Sequence, residues 1–249
     1  MLSFFKKLRF LVLTENKFTR YLIYAVGEII LVVIGILIAL QVNNWNIRQI
    51  QDKKERAYIE EIRKSLIQDI STIDYIKAGN LKKDSCINVA IGLLGTKMDN
   101  STRVLKFFEL IPTLGSYSAY QPNYVAFNNM ISAESIDLIK NDSLRNSIAN
   151  YYGREEFLIQ KVQDRMKEKT HQFLDFTLPL LVNKEVAASL AGANLNFEYP
   201  SISEIEFHTN PYIFYELSMM KVSIETQNQF LEMSKQEIEH VLSLISNVE

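Results

Sequence analysis

Four residues in one apolar stretch of the sequence are of types that could join two helices inside a membrane. Tyr24, Glu28, Gly35 and Ala39 fall on one face of a helix, because they are separated by four, seven and four residues. Gly35 and Ala39 would let a second helix approach closely, and Glu28 could then hydrogen-bond across the contact. Two other roles stay open for Glu28: setting the depth of the helix, with Tyr24 or water as its partner, and moving ions or protons.

The histidines are the next candidates, because a helical face could offer one to a metal ion together with a carboxylate. His171 and Asp175 are four residues apart, and so are Glu204 and His208. Each pair supplies two ligands, which is too few for a site, and the sequence contains no HExxH motif. We therefore expect no metal and no other cofactor.

A nucleophile stands beside a carboxylate at Asp84, Ser85 and Cys86, but no motif places a histidine next to it. The sequence also lacks a glycine-rich phosphate loop after a strand, a GxSxG elbow and a DxDxDG calcium loop. We therefore expect that the protein is not an enzyme. Cys86 is the only cysteine, and its apolar surroundings favour a buried thiol over pairing with another chain.

Three tyrosines lie in a segment, residues 115–124, that is predicted to connect two helices. Tyr117, Tyr120 and Tyr124 could line a ligand pocket or form a partner loop. Alternatively, their rings cover the end of a helical bundle while their hydroxyl groups face water. The sequence leaves both interpretations open.

The element that must position the first set of residues is a membrane helix. Residues 21–42 contain fourteen Ile, Leu and Val residues, and about twenty apolar residues suffice to cross a bilayer. Each favours insertion by roughly 0.3–0.6 kcal/mol, whereas Glu28 costs about 3 kcal/mol at most. A cleaved signal peptide is disfavoured because no small-x-small cleavage pattern follows Leu40. We predict a transmembrane helix over residues 19–45 that is retained as a signal anchor.

The basic residues next to the span predict its orientation. Lys17 and Arg20 lie close to the span on its N-terminal side, whereas only Arg48 does so on the other side. We therefore expect a single-pass membrane protein. Its amphipathic tail, residues 1–18, would be cytoplasmic, and the domain formed by residues 46–249 would be exported.

Apolar residues at three- and four-residue spacings predict that the remainder is an all-α, antiparallel helical bundle with long helices. From residue 43 onward, 27 acidic residues exceed 22 basic ones, which argues against nucleic acid as a partner. The predicted helices continue from the span to Gly79 and then cover 81–95, 101–111, 123–132, 134–140, 144 to a break near Pro179, and 212–246. The predicted N-caps are Asn100 or Ser101 and Asp142 or Ser143.

Two stretches of the sequence resemble a known family. TENKFTRYLIYAVGEIILVVIGILIALQVNNWN, from Thr14 to Asn46, closely resembles the N-terminal signature of an uncharacterised family of bacterial single-span membrane proteins that carries a domain-of-unknown-function label. FNNMISAESIDLIKNDSLRNSIANYY, from Phe127 to Tyr152, is similar to a middle segment of these proteins, in which a serine-glycine turn stands where this chain has Ser132, Ala133 and Glu134. The resemblance implies a single-pass protein of a bacterial inner membrane, in which the exported domain, residues 46–249, would be periplasmic. It implies no established activity.

The functional prediction that follows is broad. We expect a membrane-anchored helical scaffold or interaction protein of the bacterial envelope, whose partners are the lipid bilayer and either itself or another membrane protein. The alternative is a ligand-sensing helical bundle that signals through a partner, because a shift in packing could pass along a continuous helix. Nothing in the sequence indicates a particular small-molecule ligand.

Overall fold

The structure, a computed structural model, describes residues 17–185, 187 and 199–247. These residues form helices, turns and connecting segments without strands, which confirms the predicted all-α class. The α-helices are α1 (Lys17–Gly95), α2 (Asn100–Leu114), α3 (Val125–Ser132), α4 (Asp142–Leu181) and α5 (Pro211–Ser246), and short 3₁₀ turns cover Ile136–Leu138, Ile202–Glu204 and Phe207–Thr209. Most of the predicted amphipathic tail, residues 1–18, lies outside the described residues.

The chain divides into two compact units, residues 1–57 and 58–249. In the first unit, every side chain of α1 from Tyr21 to Ile50 is exposed. This stretch is long and apolar enough to cross a membrane, and none of its most apolar window is buried by the protein. Its helical conformation therefore has no packing partner among the described residues of the chain.

The second unit is a bundle of the three long helices, with α2 and α3 packed on it. Ion pairs join Asp74 of α1 to Lys235 of α5 and Asp84 of α1 to Lys221 of α5. As the residue number rises along α1, the number of its partner on α5 falls, so these two helices are antiparallel. Arg154 pairs with Glu237, and Phe176 packs against Tyr212, so α4 is also antiparallel to α5.

The core of the bundle consists of the apolar stripes that the spacing predicts. Leu66 of α1, Leu144 of α4 and Leu231 of α5 are fully buried in one cluster of side chains. A second cluster surrounds Phe107 of α2, whose ring lies 4.8 Å from that of Phe207. Burying each such side chain contributes roughly 1.5–3 kcal/mol, so the stripes explain why the three long helices associate.

Several helix boundaries differ from the predicted ones. The predicted helix 81–95 is the last part of α1, because the helix continues through the exposed Gly79. A glycine inside a helix costs only about 1 kcal/mol, which the buried residues on either side offset. Similarly, α4 continues two residues past Pro179 to Leu181 instead of breaking near it.

The predicted N-caps are wrong by one or two residues. Asp99 caps α2 by accepting a hydrogen bond from the Thr102 amide at 2.8 Å. Asn141 caps α4 by accepting one from the Leu144 amide at 3.0 Å. Both cap residues have extended backbone, which lets the side chain reach the amide three residues on. Asn100, Ser101, Asp142 and Ser143 are already inside the helices.

The turn after α3 has a residue in an unusual conformation. Glu134 has φ of 50°, in the left-handed region that favours glycine. The Ser135 amide donates to the Met130 carbonyl and the Glu134 amide donates to the Ile131 carbonyl, both at 3.0 Å. These bonds form the Schellman motif, whose left-handed position is usually glycine. Glu134 therefore stands at the turn where the resembling family has serine and glycine.

Candidate functional site

An extended segment lies along the bundle between α2 and α3. We call residues 116–123 the strap. At one end, Lys83 Nζ donates to the Ser116 carbonyl at 2.5 Å. At the other end, the Asn123 amide donates to Asp69 Oδ1 at 2.8 Å. Lys83 and Asp69 are fourteen helical residues apart, which is roughly 21 Å, and Ser116 and Asn123 are seven residues apart, which is roughly 23 Å when the chain is extended. The strap therefore runs antiparallel to α1 in a nearly straight line.

The middle of the strap is held by the other two long helices. Gln227 of α5 donates from Nε2 to the Ser118 carbonyl at 2.9 Å, and its Oε1 accepts from Asn80 Nδ2 at 2.7 Å. Gln163 of α4 donates to the Tyr120 carbonyl. An extended chain cannot satisfy its own backbone groups, and buried ones need partners. Side chains from α1, α4 and α5 supply those partners.

The Asp69 end of the strap is a buried polar cluster. Asp69 is only 2% exposed, and its Oδ2 accepts from the Tyr151 hydroxyl at 3.2 Å. The hydroxyls of Tyr151 and Tyr120 are 2.7 Å apart. Burial raises the pKa of Asp69 to about 6, although the hydrogen bonds from Asn123 and Tyr151 act in the opposite direction.

The neighbouring Tyr152 belongs to the same cluster but makes no such bond. Its hydroxyl is buried and has no hydrogen-bond partner within the part of the chain that the structure describes. Burial raises the pKa of Tyr152, and the charge of Asp69 and the nearby Tyr124 add to that increase. An unpartnered buried hydroxyl costs roughly 1–3 kcal/mol, so this end of the strap is not fully satisfied.

The Lys83 end also holds a buried ionisable group. Lys83 is 3% exposed, and its Nζ donates to Thr170 Oγ1 at 3.0 Å as well as to Ser116. Burial lowers the pKa of Lys83 to about 8, opposed by the Cys86 thiol. Cys86 itself is half-buried, with Sγ 3.8 Å from the Leu110 carbonyl oxygen, and burial raises the pKa of its thiol.

The three tyrosines predicted to line a pocket or partner loop lie at different depths along or beside the strap. Tyr117 is partly exposed and meets the His171 ring edge-on, with centroids 6.2 Å apart. Tyr120 is buried, whereas Tyr124 is half-buried against Tyr152. Tyr117 and Tyr120 are three residues apart, and an extended chain turns side chains an odd number of residues apart to opposite sides. A pocket or partner loop formed by the three tyrosines stays a prediction.

Sequence reasoning missed Asp69 and Lys83, although a signal for both was present. Asp69 follows Leu66 by three residues and precedes Ile73 by four, so it lies within the apolar stripe of α1. Lys83 precedes the buried Ile87 by four residues in the same way. A charged residue at a core position is seldom buried without a specific partner, and here the strap supplies one.

The stripe predicted for helix association lies on the exposed part of α1. Tyr24, Glu28, Gly35 and Ala39 are all exposed. A Cβ atom added at Gly35 would meet no atom within 4 Å. The stripe thus has room for another helix, and association through it stays a prediction.

The predicted histidine pairs are used in other ways. His171 contacts the Tyr117 ring edge-on. Glu204 accepts from the Ser201 amide at 2.7 Å in a capping box, which lowers the pKa of Glu204. Across residues 17–185, 187 and 199–247, no group of three or more His, Cys, Asp or Glu side chains could hold a metal ion. Asp175 and His208 join no such group within those limits.

An open groove of about 810 Å³ runs between α1 and α5. Ion pairs lie at both ends: Lys77 Nζ is 2.6 Å from Glu232 Oε2, and Lys221 Nζ is 3.0 Å from Asp84 Oδ1. The buried Asn80 forms its floor. Because these charges already have partners, the groove offers a ligand few groups for recognition.

A different surface at the start of α5 is exposed and aromatic. Tyr212, Phe214 and Tyr215, which we call the aromatic patch, are 63%, 53% and 51% exposed. Phe176 of α4 flanks the patch, with its ring centroid 5.9 Å from that of Tyr212. Soluble surfaces seldom cluster large apolar side chains in this way unless a partner covers them.

Comparisons with known proteins give one match. The model of a family of unknown function (DUF6090) matches residues 28–172, which is more than half of the chain. No curated protein and no solved structure matches the chain. The matched range includes the strap and both of its ionisable anchors, and the whole of the second resembling stretch, Phe127–Tyr152.

Proposed function

This chain belongs to the family of unknown function DUF6090, and from its structure we propose that it is a membrane-anchored interaction protein. In this proposal, α1 anchors the chain in a bacterial inner membrane, with the N-terminus in the cytoplasm. The bundle lies on the periplasmic side and binds another protein through the aromatic patch. The protein acts as a scaffold and catalyses no reaction.

The exposed apolar stretch of α1 supports the anchor. From Tyr21 to Ile50 its side chains contact no other part of the described chain closely enough to be buried. In water, such a helix would expose an apolar surface that a soluble monomer rarely tolerates. A bilayer removes that surface from water while the helix satisfies its own backbone hydrogen bonds.

The aromatic patch is the observation that carries the interaction role. Tyrosine and phenylalanine combine large apolar area with few rotatable bonds, which makes them effective at protein interfaces. Tyr212, Phe214 and Tyr215 are exposed together in the first turns of a helix whose opposite side is packed into the core. A rigid helix thus presents them in a fixed arrangement.

Photo-crosslinking in membranes tests this role. A photoreactive amino acid is placed at Tyr215 in the full-length chain, and a matched control carries it at Gln236, which is also exposed on α5. We expect a discrete adduct with one membrane or envelope protein, or with a second copy, from position 215 only. Equal adducts from both positions, or none from position 215, would refute the proposed surface.

The ligand-sensing alternative is addressed by a parallel measurement. A sensor should contain a site that a small molecule fills, and filling it stabilises the folded bundle. A thermal-shift screen of the full-length protein with candidate ligands would reveal such stabilisation. A stabilising ligand together with no adduct at position 215 would favour the sensor over the scaffold.

A further inference from the structure

The strap is attached at each end by one buried ionisable side chain, Lys83 or Asp69. Within the described residues, neither Lys83 nor Asp69 forms an ion pair; Lys83 meets a carbonyl and a hydroxyl, and Asp69 meets an amide and a hydroxyl. Neutral partners repay only part of the cost of taking an ion out of water. Both attachments therefore retain part of that cost whenever the groups are charged.

The bonds that hold the strap are separate from the backbone bonds that hold the helices. The strap's bonds to the bundle run to side chains of α1, α4 and α5, whereas the backbone bonds of those helices are internal. Tyr120 and Pro122 are the buried strap side chains that oppose release. Local openings of this kind need much less free energy than global unfolding.

We propose that the strap is a releasable clamp, which detaches from α1 while the three long helices stay packed, and that the charges of Asp69 and Lys83 set how often it detaches. When either ion becomes neutral, its attachment loses the cost of a buried charge. The clamp then closes more tightly. It is loosest when both groups are charged.

The Asp69 end can accept a proton without losing its contacts. Protonated Asp69 still accepts from the Asn123 amide on Oδ1, and its Oδ2–H group donates to the Tyr151 hydroxyl. The direction of the hydrogen bond between Tyr151 and Tyr120 then reverses, since either hydroxyl can be the donor. Asp69 thus keeps both of its hydrogen-bonded contacts in both protonation states, and only the neutral state avoids the cost of the buried charge.

The sign of the pH dependence follows from the two states of the strap. In the closed state the pKa of Asp69 is about 6, and in the open state it returns toward its ordinary 3.8. The closed state therefore binds the proton more tightly, so it is favoured as the pH falls from about 6 toward 4 and loses that advantage as the pH rises through 6. Between pH 5 and pH 7.5, linkage predicts about a tenfold increase in opening.

The Lys83 end has the opposite dependence. Its closed-state pKa is about 8 against an ordinary 10.5, so the neutral amine favours closure as the pH rises above about 8. The titratable groups that face the two anchors are Tyr151 and Tyr152 of α4, Tyr120 in the strap, Tyr124 just after it, and Cys86 of α1. Among the described residues, no α5 side chain hydrogen-bonds or ion-pairs with either anchor. The clamp is thus loosest from about pH 6 to 8.

Hydrogen exchange of the full-length protein in detergent micelles tests the proposal. The readout is the exchange of the Asn123 amide, corrected for the intrinsic effect of pH and compared with core amides of α4 and α5. We expect Asn123 to exchange through a local opening that is about tenfold more populated at pH 7.5 than at pH 5. Exchange of Asn123 at the same rate as the core amides at both pH values would overturn the clamp.

Two variants identify the responsible group. Asp69→Asn is neutral at every pH and can accept from Asn123 while donating to Tyr151, so we expect it to abolish the tenfold change. Asp74→Asn is the matched control on the same helix, because Asp74 is exposed and pairs with Lys235; it should retain the change. A tenfold change that survives in Asp69→Asn, or that disappears in Asp74→Asn, contradicts the role given to Asp69.

Discussion

One helix, α1, contains two stretches that share their secondary structure but differ in the exposure and polarity of their side chains. Residues 21–50 expose all of their side chains, most of them apolar, whereas residues 58–95 bury one stripe against the bundle and expose the rest. The comparison shows that both stretches can be helical, because the backbone hydrogen bonds of a helix are local. Whether a helix packs against protein or needs another apolar environment depends on how its apolar side chains are distributed around it. The second stretch finds its apolar environment in protein, and the first finds none in the described chain.

The sharpest test of this difference removes the first stretch. A chain that begins at Arg48 keeps the whole second unit and loses the apolar run, so we expect it to move completely from the membrane fraction to the soluble fraction. Its thermal unfolding should match that of the bundle in the full-length protein. A shortened chain that still pellets with washed membranes would show that the bundle binds lipid or a membrane protein without the apolar stretch.

Single leucine substitutions probe the same contrast inside each stretch. Leu66 is fully buried in the bundle, so Leu66→Ala leaves a cavity and should destabilise the bundle by about 2–5 kcal/mol, which lowers its Tm by roughly 5–15 °C. Leu37 is 56% exposed in the first stretch, and Leu37→Ala should not change the Tm of the bundle. Circular dichroism of both variants in detergent measures the difference. Equal losses of stability would mean that the two stretches do not differ in packing.

The contrast within α1 also indicates how far the sequence predicts the fold. An uninterrupted apolar run and a stripe of period 3.6 are different patterns, and each predicts its own surface. Local rules at helix boundaries are weaker, because Asp99, Asn100 and Ser101 are all acceptable caps and only the path of the chain selects one. Gly79 likewise does not end the helix, since buried neighbours hold it on both sides.

The candidate site was less predictable than the fold. The tyrosines of residues 115–124 were visible as a group, but the different depths of Tyr117 and Tyr120 depend on an extended path that no local pattern specifies. Asp69 and Lys83 lie fourteen residues apart on α1. The strap groups that they bind, at Asn123 and Ser116, follow each of them by more than thirty residues in the chain. Such long-range polar contacts depend on tertiary packing, which helix periodicity does not encode.

The stability of the bundle should depend more on the buried α2 side chain that binds the end of the second stretch than on an exposed side chain of α2. Arg103 of α2 is buried and donates to the Leu93 carbonyl at 3.1 Å and to the Thr96 carbonyl at 2.7 Å, where α1 ends. Arg103→Met removes these charged donors from the helix end and should destabilise the bundle by about 2 kcal/mol. Lys106→Met, at an exposed position of α2, should change stability by less than about 0.5 kcal/mol. Chemical denaturation of the two variants tests this ranking. Similar losses of stability in both variants would contradict it.

The smallest expected effect compares the two glycines that lie in the two stretches. A Cβ atom added at Gly79 or at Gly35 would meet nothing within 4 Å, so alanine fits at both positions. In Gly79→Ala the unfolded bundle loses conformational freedom, and we expect a gain of roughly 0.5–1 kcal/mol in the free energy of unfolding. Gly35→Ala lies outside the unit that unfolds and should leave this value unchanged, although it narrows the face predicted for helix association. Denaturant unfolding of both variants, with crosslinking of Gly35→Ala in membranes, separates the two roles. A stability gain in Gly35→Ala would mean that the two stretches of α1 unfold together. No gain in Gly79→Ala would contradict the entropic argument for that glycine.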